Sequence, residues 1–161
     1  VSSVKVSGFE GEVSYQYKDD LRVLVNCSYQ DARDMNRYKD DGKPSITYNN
    51  KLPNRPWLFS NVEADYIFRD VLKNGDKLKL SYHYQYVHWF YLTWEAYGSL
   101  DGKSKIPTQH QHNAVVSYSW KNERYNVSFG CNNLFDKELY DNFMLQKPGR
   151  SFFAKFRIFI N

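Results

Sequence analysis

The chain has 161 residues, a formal net charge of +4 and a mean hydropathy of −0.72. That length suits one domain. No apolar run approaches the roughly 18 residues of a spanning helix, and the scattered Lys and Arg residues do not point to nucleic acid as a partner. The 14 tyrosines and 11 phenylalanines are many for one domain, and their spacing carries the information.

Period-two alternation recurs seven times, which predicts seven strands. The first runs over about Val4–Tyr17 and sets Phe9, Gly11, Val13, Tyr15 and Tyr17 against Glu10, Glu12, Ser14 and Gln16. The opening VSSVKVSGFEGE has no apolar signal-peptide core and begins mid-pattern, which predicts a piece of a longer chain. The second, Leu21–Gln30, sets Leu21, Val23, Val25, Cys27 and Tyr29 against Arg22, Asn26, Ser28 and Gln30. The third, Trp57–Phe68, sets Val62, Ala64, Tyr66 and Phe68 against Asn61, Glu63 and Asp65. The fourth, KLKLSYHYQYVHWFYLTW, reads as one strand over 77–94, with Leu80, Tyr82, Tyr84, Tyr86 and His88 opposite Ser81, His83, Gln85, Trp89 and Tyr91. The fifth, sixth and seventh span His112–Trp120, Arg124–Asn132 and Arg150–Ile160, each with one aromatic and one polar face.

Connections alternate between short (18–20, 69–76, 121–123) and long (31–56, 95–111, 133–149). Together these features predict an all-β, antiparallel up-and-down meander of about seven strands. Short turns at one end and long loops at the other are the pattern of a transmembrane β-barrel, with lipid on the apolar face and water or a plug on the polar one. Tyr17, Phe68, Trp120 and Tyr125 fall beside short turns, while Trp57, Trp89, Phe90 and Trp94 fall near long loops, as two interfacial belts would. A soluble β-sandwich or lipocalin-like ligand-binding barrel also gives period two. Seven inward faces so rich in Tyr and Phe would overfill a small interior. Cys27 and Cys131 fall on the second and sixth strands, about 19 Å apart at one strand spacing per step, too far for a disulfide.

YNVSFGCNNLFDKELYDNFMLQKPGRSFFAKFRIFIN, from Tyr125 onward, resembles the C-terminal end of TonB-dependent outer-membrane receptors. The matching pieces are Asn133, Leu134, Phe135, Asp136 and Lys137, then Tyr140, then Pro148, Gly149 and Arg150 opening an alternating last strand. VKVSGFEGEVSYQY and LPNRPWLFSNVEADYIF are similar to upstream strands of the family. The resemblance implies that the chain is the C-terminal part of a 22-stranded barrel in the outer membrane of a Gram-negative bacterium. It implies import of a scarce nutrient, a ferric siderophore or other iron complex first, with cobalamin, haem or an oligosaccharide as alternatives. It implies energy from the TonB complex, reached through a plug-bearing N-terminal part absent from this sequence. The family ends on an aromatic residue. Asn161 stands there instead, so the expectation is a longer native chain or a degenerate assembly signal.

In the loop 31–56, Arg33, Arg37, Tyr38, Lys39, Lys43, Tyr48 and Arg55 suit an anionic, ring-bearing ferric chelate, and a solvated mixed-charge loop explains them as well. Trp89, Tyr91, His110, His112 and Tyr140 complete the candidate ligand contacts in outer loops and lumen. His110 and His112 share one face at i, i+2, but two local ligands are few for a metal, and no metal or cofactor is expected. No nucleophile–base arrangement or phosphate loop occurs, so no enzymatic activity is expected. An open sheet of seven strands has two unpaired edges, which predicts edge-to-edge self-association of the isolated piece.

Overall fold

The computed structural model of the chain describes residues 3–97 and 104–160; Asn161, where the terminal departure falls, lies outside the described residues. The strands are β1 (Val4–Tyr17), β2 (Leu21–Asp34), β3 (Leu58–Arg69), β4 (Lys77–Val87), β5 (Phe90–Tyr91), β6 (Lys105–Ile106), β7 (Gln109–Trp120), β8 (Tyr125–Asn132) and β9 (Ser151–Ile158). Seven of them form a single antiparallel sheet in the order β1-β2-β3-β4-β7-β8-β9, and β5 pairs only with β6. The seven-strand meander of the sequence is therefore present, and among the described residues the second sheet is the two-stranded β5–β6 ribbon.

Register fixes which side chains share a face. Val13, Val25, Val62, Tyr84 and His112 lie in one cross-strand row, and Tyr66, Leu80, Val116, Phe129 and Ala154 in another. Phe9, Val13, Tyr15, Tyr66, Phe68, Val116, Phe129, Phe152 and Phe156 all belong to this aromatic side and are all exposed, Val13 at 71% and Phe152 at 76%. An apolar face this large is not tolerable in water. It is the requirement of a wall whose solvent is acyl chain.

The opposite face is a polar mesh. Ser28 Oγ donates to Glu10 at 2.8 Å, Asn61 donates to Asn26 at 2.9 Å, and Gln85 donates to Asn61 at 3.3 Å. Ser81 donates to Asp65 at 2.6 Å, where Lys79 adds an ion pair at 3.1 Å. His83 lies 3.2 Å from Asn113, and Ser117 donates to Ser128 at 2.9 Å. Links that cross from strand to strand stiffen the sheet from its wet side.

Apolar groups interrupt this mesh, among them Leu24, Phe59, Ile67, Val115 and Phe153. Phe153 lies over Gly130, where an added Cβ would sit 2.2 Å from the ring's Cζ. The ring covers backbone that glycine leaves bare. Gly130→Val should evict Phe153 and cost about 1–3 kcal/mol in urea unfolding of the closed barrel. Adding Phe153→Ala should return part of that loss; strict additivity of the two changes would show that the contact is not the cause.

The fourth predicted strand is shorter than its pattern. The ladder with β7 ends at the Val87–Gln109 pair, and beyond it no strand is available to pair. The chain leaves the sheet there, His88 N donates to Leu58 O, and Phe90–Tyr91 pairs instead with Lys105–Ile106. Alternation of faces has no meaning past Val87, so Trp89 does not lie opposite His88 as the pattern required. Their rings are 5.7 Å apart on the same side.

At the other end the connections are tight. Asp76, 2% exposed, closes the turn after β3 by accepting the N–H groups of Val71, Leu72 and Lys73 and the Tyr118 hydroxyl, the last at 2.5 Å. Burial alone would raise this carboxyl's pKa; the four donors outweigh it and hold the pKa below the usual value. Cys27 and Cys131 are both free thiols, four strand steps apart in the sheet.

Candidate functional site

The buried apolar core does not lie in the middle of the sheet. Among the described residues it comprises Ala32, Phe90, Ile106, Cys131 and Leu139, all at or beyond the long-loop end of the strands. Phe90 is 1% exposed and Ile106 is fully buried, and the two are cross-strand partners in the β5–β6 ribbon. The loops thus carry a small core of their own and form a folded layer above the strands.

Asn54 ties three loops together. Its N–H donates to Tyr91 O at 2.7 Å. Its side-chain amide, oriented as its neighbours require, donates to Leu92 O at 2.8 Å and Asn142 O at 2.9 Å. Gln109 Oε1 accepts Tyr140 N at 2.6 Å, joining the last loop to the start of β7. Asp34, 5% exposed, is the anchor of the first loop: it accepts from Thr47 Oγ1 at 2.7 Å and from Asn36 Nδ2 at 2.6 Å.

Burial of Asp34 works to raise its pKa, but the hydrogen bonds from Thr47 and Asn36 prevail and leave it below the ordinary carboxylate value. A depressed folded-state pKa contributes stability that is fully present above the unfolded value, about 3.9, and is lost as pH falls through the folded one. Amides of residues 34–50 should therefore stay protected from hydrogen exchange down to about pH 4 and lose protection below it. Asp34→Asn should show the weakened protection at all pH values; identical pH profiles for the two forms would exclude Asp34 as the group responsible.

The candidate ligand contacts separate into two places. Arg37 and Tyr48 come together: Arg37 Nε donates to the Tyr48 hydroxyl at 3.2 Å, with the guanidinium 5.4 Å from the ring centre. Tyr38 is 67% exposed beside them and bridges to Pro44. Tyr140 bridges to Gln146 and its hydroxyl donates to Glu138 at 2.9 Å, a bond that raises the phenol's pKa. These four belong to the loop layer.

Tyr91, in the β5–β6 ribbon, belongs to that layer too, whereas Trp89, His110 and His112 belong elsewhere. Register places His110 opposite Tyr86 and His112 opposite Tyr84, on the aromatic face and not in the lumen. Each imidazole Nδ1 lies against a tyrosine hydroxyl: His112 at 2.6 Å from Tyr82, His110 at 2.8 Å from Tyr84, His88 at 2.6 Å from Tyr86. Phe135 closes over His112 edge-on, with centroids 4.8 Å apart. Trp89 stacks edge-on against Trp57 at 5.8 Å and against Tyr91 at 5.4 Å. Among the described residues no cluster of three or more His, Cys, Asp or Glu could hold a metal ion.

The last motif is a clamp. Asn133, 2% exposed, exchanges two hydrogen bonds with the Lys137 backbone at 2.8 and 3.0 Å, and its N–H donates to Asn113 at 2.9 Å. Leu134 N donates to His112 O at 2.7 Å. Asp136 Oδ1 accepts Arg150 N at 2.7 Å, and Arg150 lies 3.9 Å from Asp136 Oδ2. A Cβ at Gly149, after Pro148, would lie 2.9 Å from that same Oδ1, so glycine lets the two ends of the loop meet. Asp136 thus closes the loop onto Arg150, 14 positions later, which residue types alone do not disclose.

Sequence reading passed over Lys51, Lys105 and Asn54. Lys51 Nζ stands 4.0 Å over Trp57, and Lys105 Nζ stands 4.6 Å over Trp89 and 5.7 Å over Tyr91. Only the loops' folding brings Lys105 back over rings 14 and 16 positions earlier.

Comparison of sequences with curated proteins gave no match. Solved structures share the fold. BauA, the ferric preacinetobactin receptor from Acinetobacter baumannii, superposes with a TM-score of 0.72 at 16% identity, over 95% of this chain and 22% of BauA. FpvA of P. aeruginosa, in complex with a pyoverdine and Fe, superposes at 0.66 with 17% identity, over 98% of this chain and 20% of FpvA. The ferric-catecholate import receptor Fiu from E. coli K12 superposes at 0.67 with 16% identity, over 95% and 20%. The chain thus spans about a fifth of the length of these receptors. The family model "TonB dependent receptor-like, beta-barrel" matches residues 1–134. A match over so much of the sequence decides membership: the chain belongs to the β-barrel family of TonB-dependent receptors.

Proposed function

We propose that this chain forms lateral wall and outer loop layer of a Gram-negative outer-membrane receptor that imports a ferric siderophore or another iron complex, energised through the TonB complex. In this reading the strands are the C-terminal ones of a 22-stranded barrel. Arg37, Tyr38, Tyr48 and Tyr140 gather the ligand. The observation that carries it is the Arg37–Tyr48 pair on a folded loop platform, where a cation and a ring are offered together to an anionic aromatic chelate. That three structural neighbours are receptors of ferric chelates supports the cargo class.

The test uses the whole receptor that carries this chain. A strain lacking it should lose energy-dependent uptake of a ferric siderophore under iron limitation, and Arg37→Ala should weaken binding of that complex by roughly two- to thirtyfold. Unchanged iron uptake, with loss of cobalamin, haem or oligosaccharide uptake instead, would overturn the iron reading and keep the receptor class.

A further inference from the structure

The polar face is not evenly charged. Two cross-strand rows run along its short-turn end, Arg69, Lys77, Ser119, Asn126 and Arg157 in one, and Lys79, Ser117, Ser128 and Lys155 in the other. On β3 and β4 every cation of these rows has a carboxylate. Arg69 pairs with Asp20 at 2.8 Å, Lys77 with Glu123, and Lys79 with Asp65 at 3.1 Å. On β9 the pattern breaks. Among the described residues Lys155 and Arg157 meet no carboxylate at ion-pair distance, and both are exposed.

The groups between these cations are only half used. Ser117 Oγ donates to Ser128 Oγ at 2.9 Å, and Ser128 Oγ donates to Asn126 Oδ1 at 3.0 Å. That chain leaves the Asn126 amide N–H groups and the Ser119 hydroxyl without a partner among the described residues. Phe153 and Phe159 line the same hollow, and the Arg157 guanidinium lies 5.6 Å from the Phe159 ring centre. The hollow holds about 370 Å³, within the roughly 300–1,000 Å³ of small-molecule sites. Two free cations, spare donors and two rings suit an anion that carries rings of its own. The carboxylates Glu10, Glu12 and Glu63 stand at the other side of the wall, on β1 and β3, and would repel the same anion.

We propose that the Lys155–Arg157 hollow is an exit site, which holds the anionic, ring-bearing ferric chelate as it leaves the barrel at the periplasmic mouth. The two cations contact the chelate's negative oxygens, Asn126 and Ser119 donate hydrogen bonds, and the rings pack against its aromatic groups. The site rests on the reading of the cargo as an iron chelate. It lies at the opposite end of the strands from Arg37 and Tyr48, so the two can be removed separately. An exit site must hold its cargo more weakly than the capture site, or it would trap it.

The experiment places the whole receptor in nanodiscs, which leave both mouths open, and follows binding of ferric tris-catecholate, a trianion, by titration calorimetry. Two events are expected. Lys155→Gln/Arg157→Gln should weaken the lower-affinity event by roughly tenfold or more and leave the other unchanged. Arg37→Ala should weaken the higher-affinity event alone. Lys18→Gln/Lys73→Gln, on the short turns but off the hollow, should change neither. An uncharged ferric trihydroxamate should lack the weaker event. In cells, the β9 double variant should bind the trianion at the surface as before and import it roughly fivefold more slowly. Retained heat-modifiable migration in gels confirms that the variants are closed barrels. Four results would each overturn the exit site and leave the cargo reading standing: a single event in the native receptor, a weaker event that survives the double variant, equal binding of the trihydroxamate there, or a double variant whose plug becomes open to trypsin, which would assign the two cations to the plug. Absence of both events would overturn the cargo reading and the exit site together.

Discussion

Val25→Arg in the whole receptor will lose about 2–4 kcal/mol of barrel stability, while Leu24→Arg, one residue away, will lose less than about 1 kcal/mol. Both native residues are apolar, and sequence hydropathy does not separate them. Val25 lies between Val13 and Val62 on the aromatic face and is 41% exposed. An arginine there must enter hydrocarbon near the middle of the crossing, at the depth where the cost is greatest. Leu24 lies between Ser14 and Glu63 on the polar face, so its replacement gains a carboxylate neighbour and water. Urea unfolding and heat-modifiable gel migration of the two variants read the difference. The reverse order, with Leu24→Arg the damaging one, would place lipid on the wrong side and remove the basis of the wall.

Phe90→Ala should have the second largest effect, of about 3–5 kcal/mol, and it should fall on the loop layer. Phe90 is 1% exposed, and with Ile106 and Leu139, at 0% and 3%, it makes up most of the layer's apolar core. The β-sheet has its own hydrogen-bond ladders and does not depend on that core. The expected result is therefore divided: loops 88–97 and 104–108 become sensitive to protease added from outside and ligand binding falls, while the closed barrel keeps its urea midpoint. Equal loss of barrel stability would show that the layer and the wall fold as one unit. Unchanged protease resistance would show that the Asn54 and Gln109 hydrogen bonds hold the loops without Phe90.

The division between sequence and tertiary structure follows from the range of the forces involved. Strand number, faces and meander order were legible because a lipid-facing strand must repeat its environment every second residue, and the chain writes that requirement locally. Val4–Tyr17 is found as the pattern places it, and the other sheet strands differ only at their ends. The separation of Cys27 from Cys131 was legible for the same reason, since a meander converts strand number into distance.

The failures begin where pairing stops. KLKLSYHYQYVHWFYLTW keeps its alternation to Trp94, but a strand exists only while a neighbour accepts its hydrogen bonds, and the neighbour ends at Gln109. Trp89 consequently joins His88 and Trp57 on the outward side, as the expected belt had it and the alternation did not. His110 and His112 were visible as a pair, and the alternation of their own strand already set them on the face of Ala114 and Val116; register added only their partners, Tyr86 and Tyr84. The loop core of Phe90, Ile106 and Leu139, the Asn54 junction and the Asp136–Arg150 clamp all join residues far apart in sequence. Such contacts are set by the closure of long loops onto one another, which has no period and leaves no local signature. By itself, then, the sequence determined a wall with one face for lipid and one for water; tertiary structure alone decided what stands on its outer rim, because that depends on which distant side chains the loops bring together.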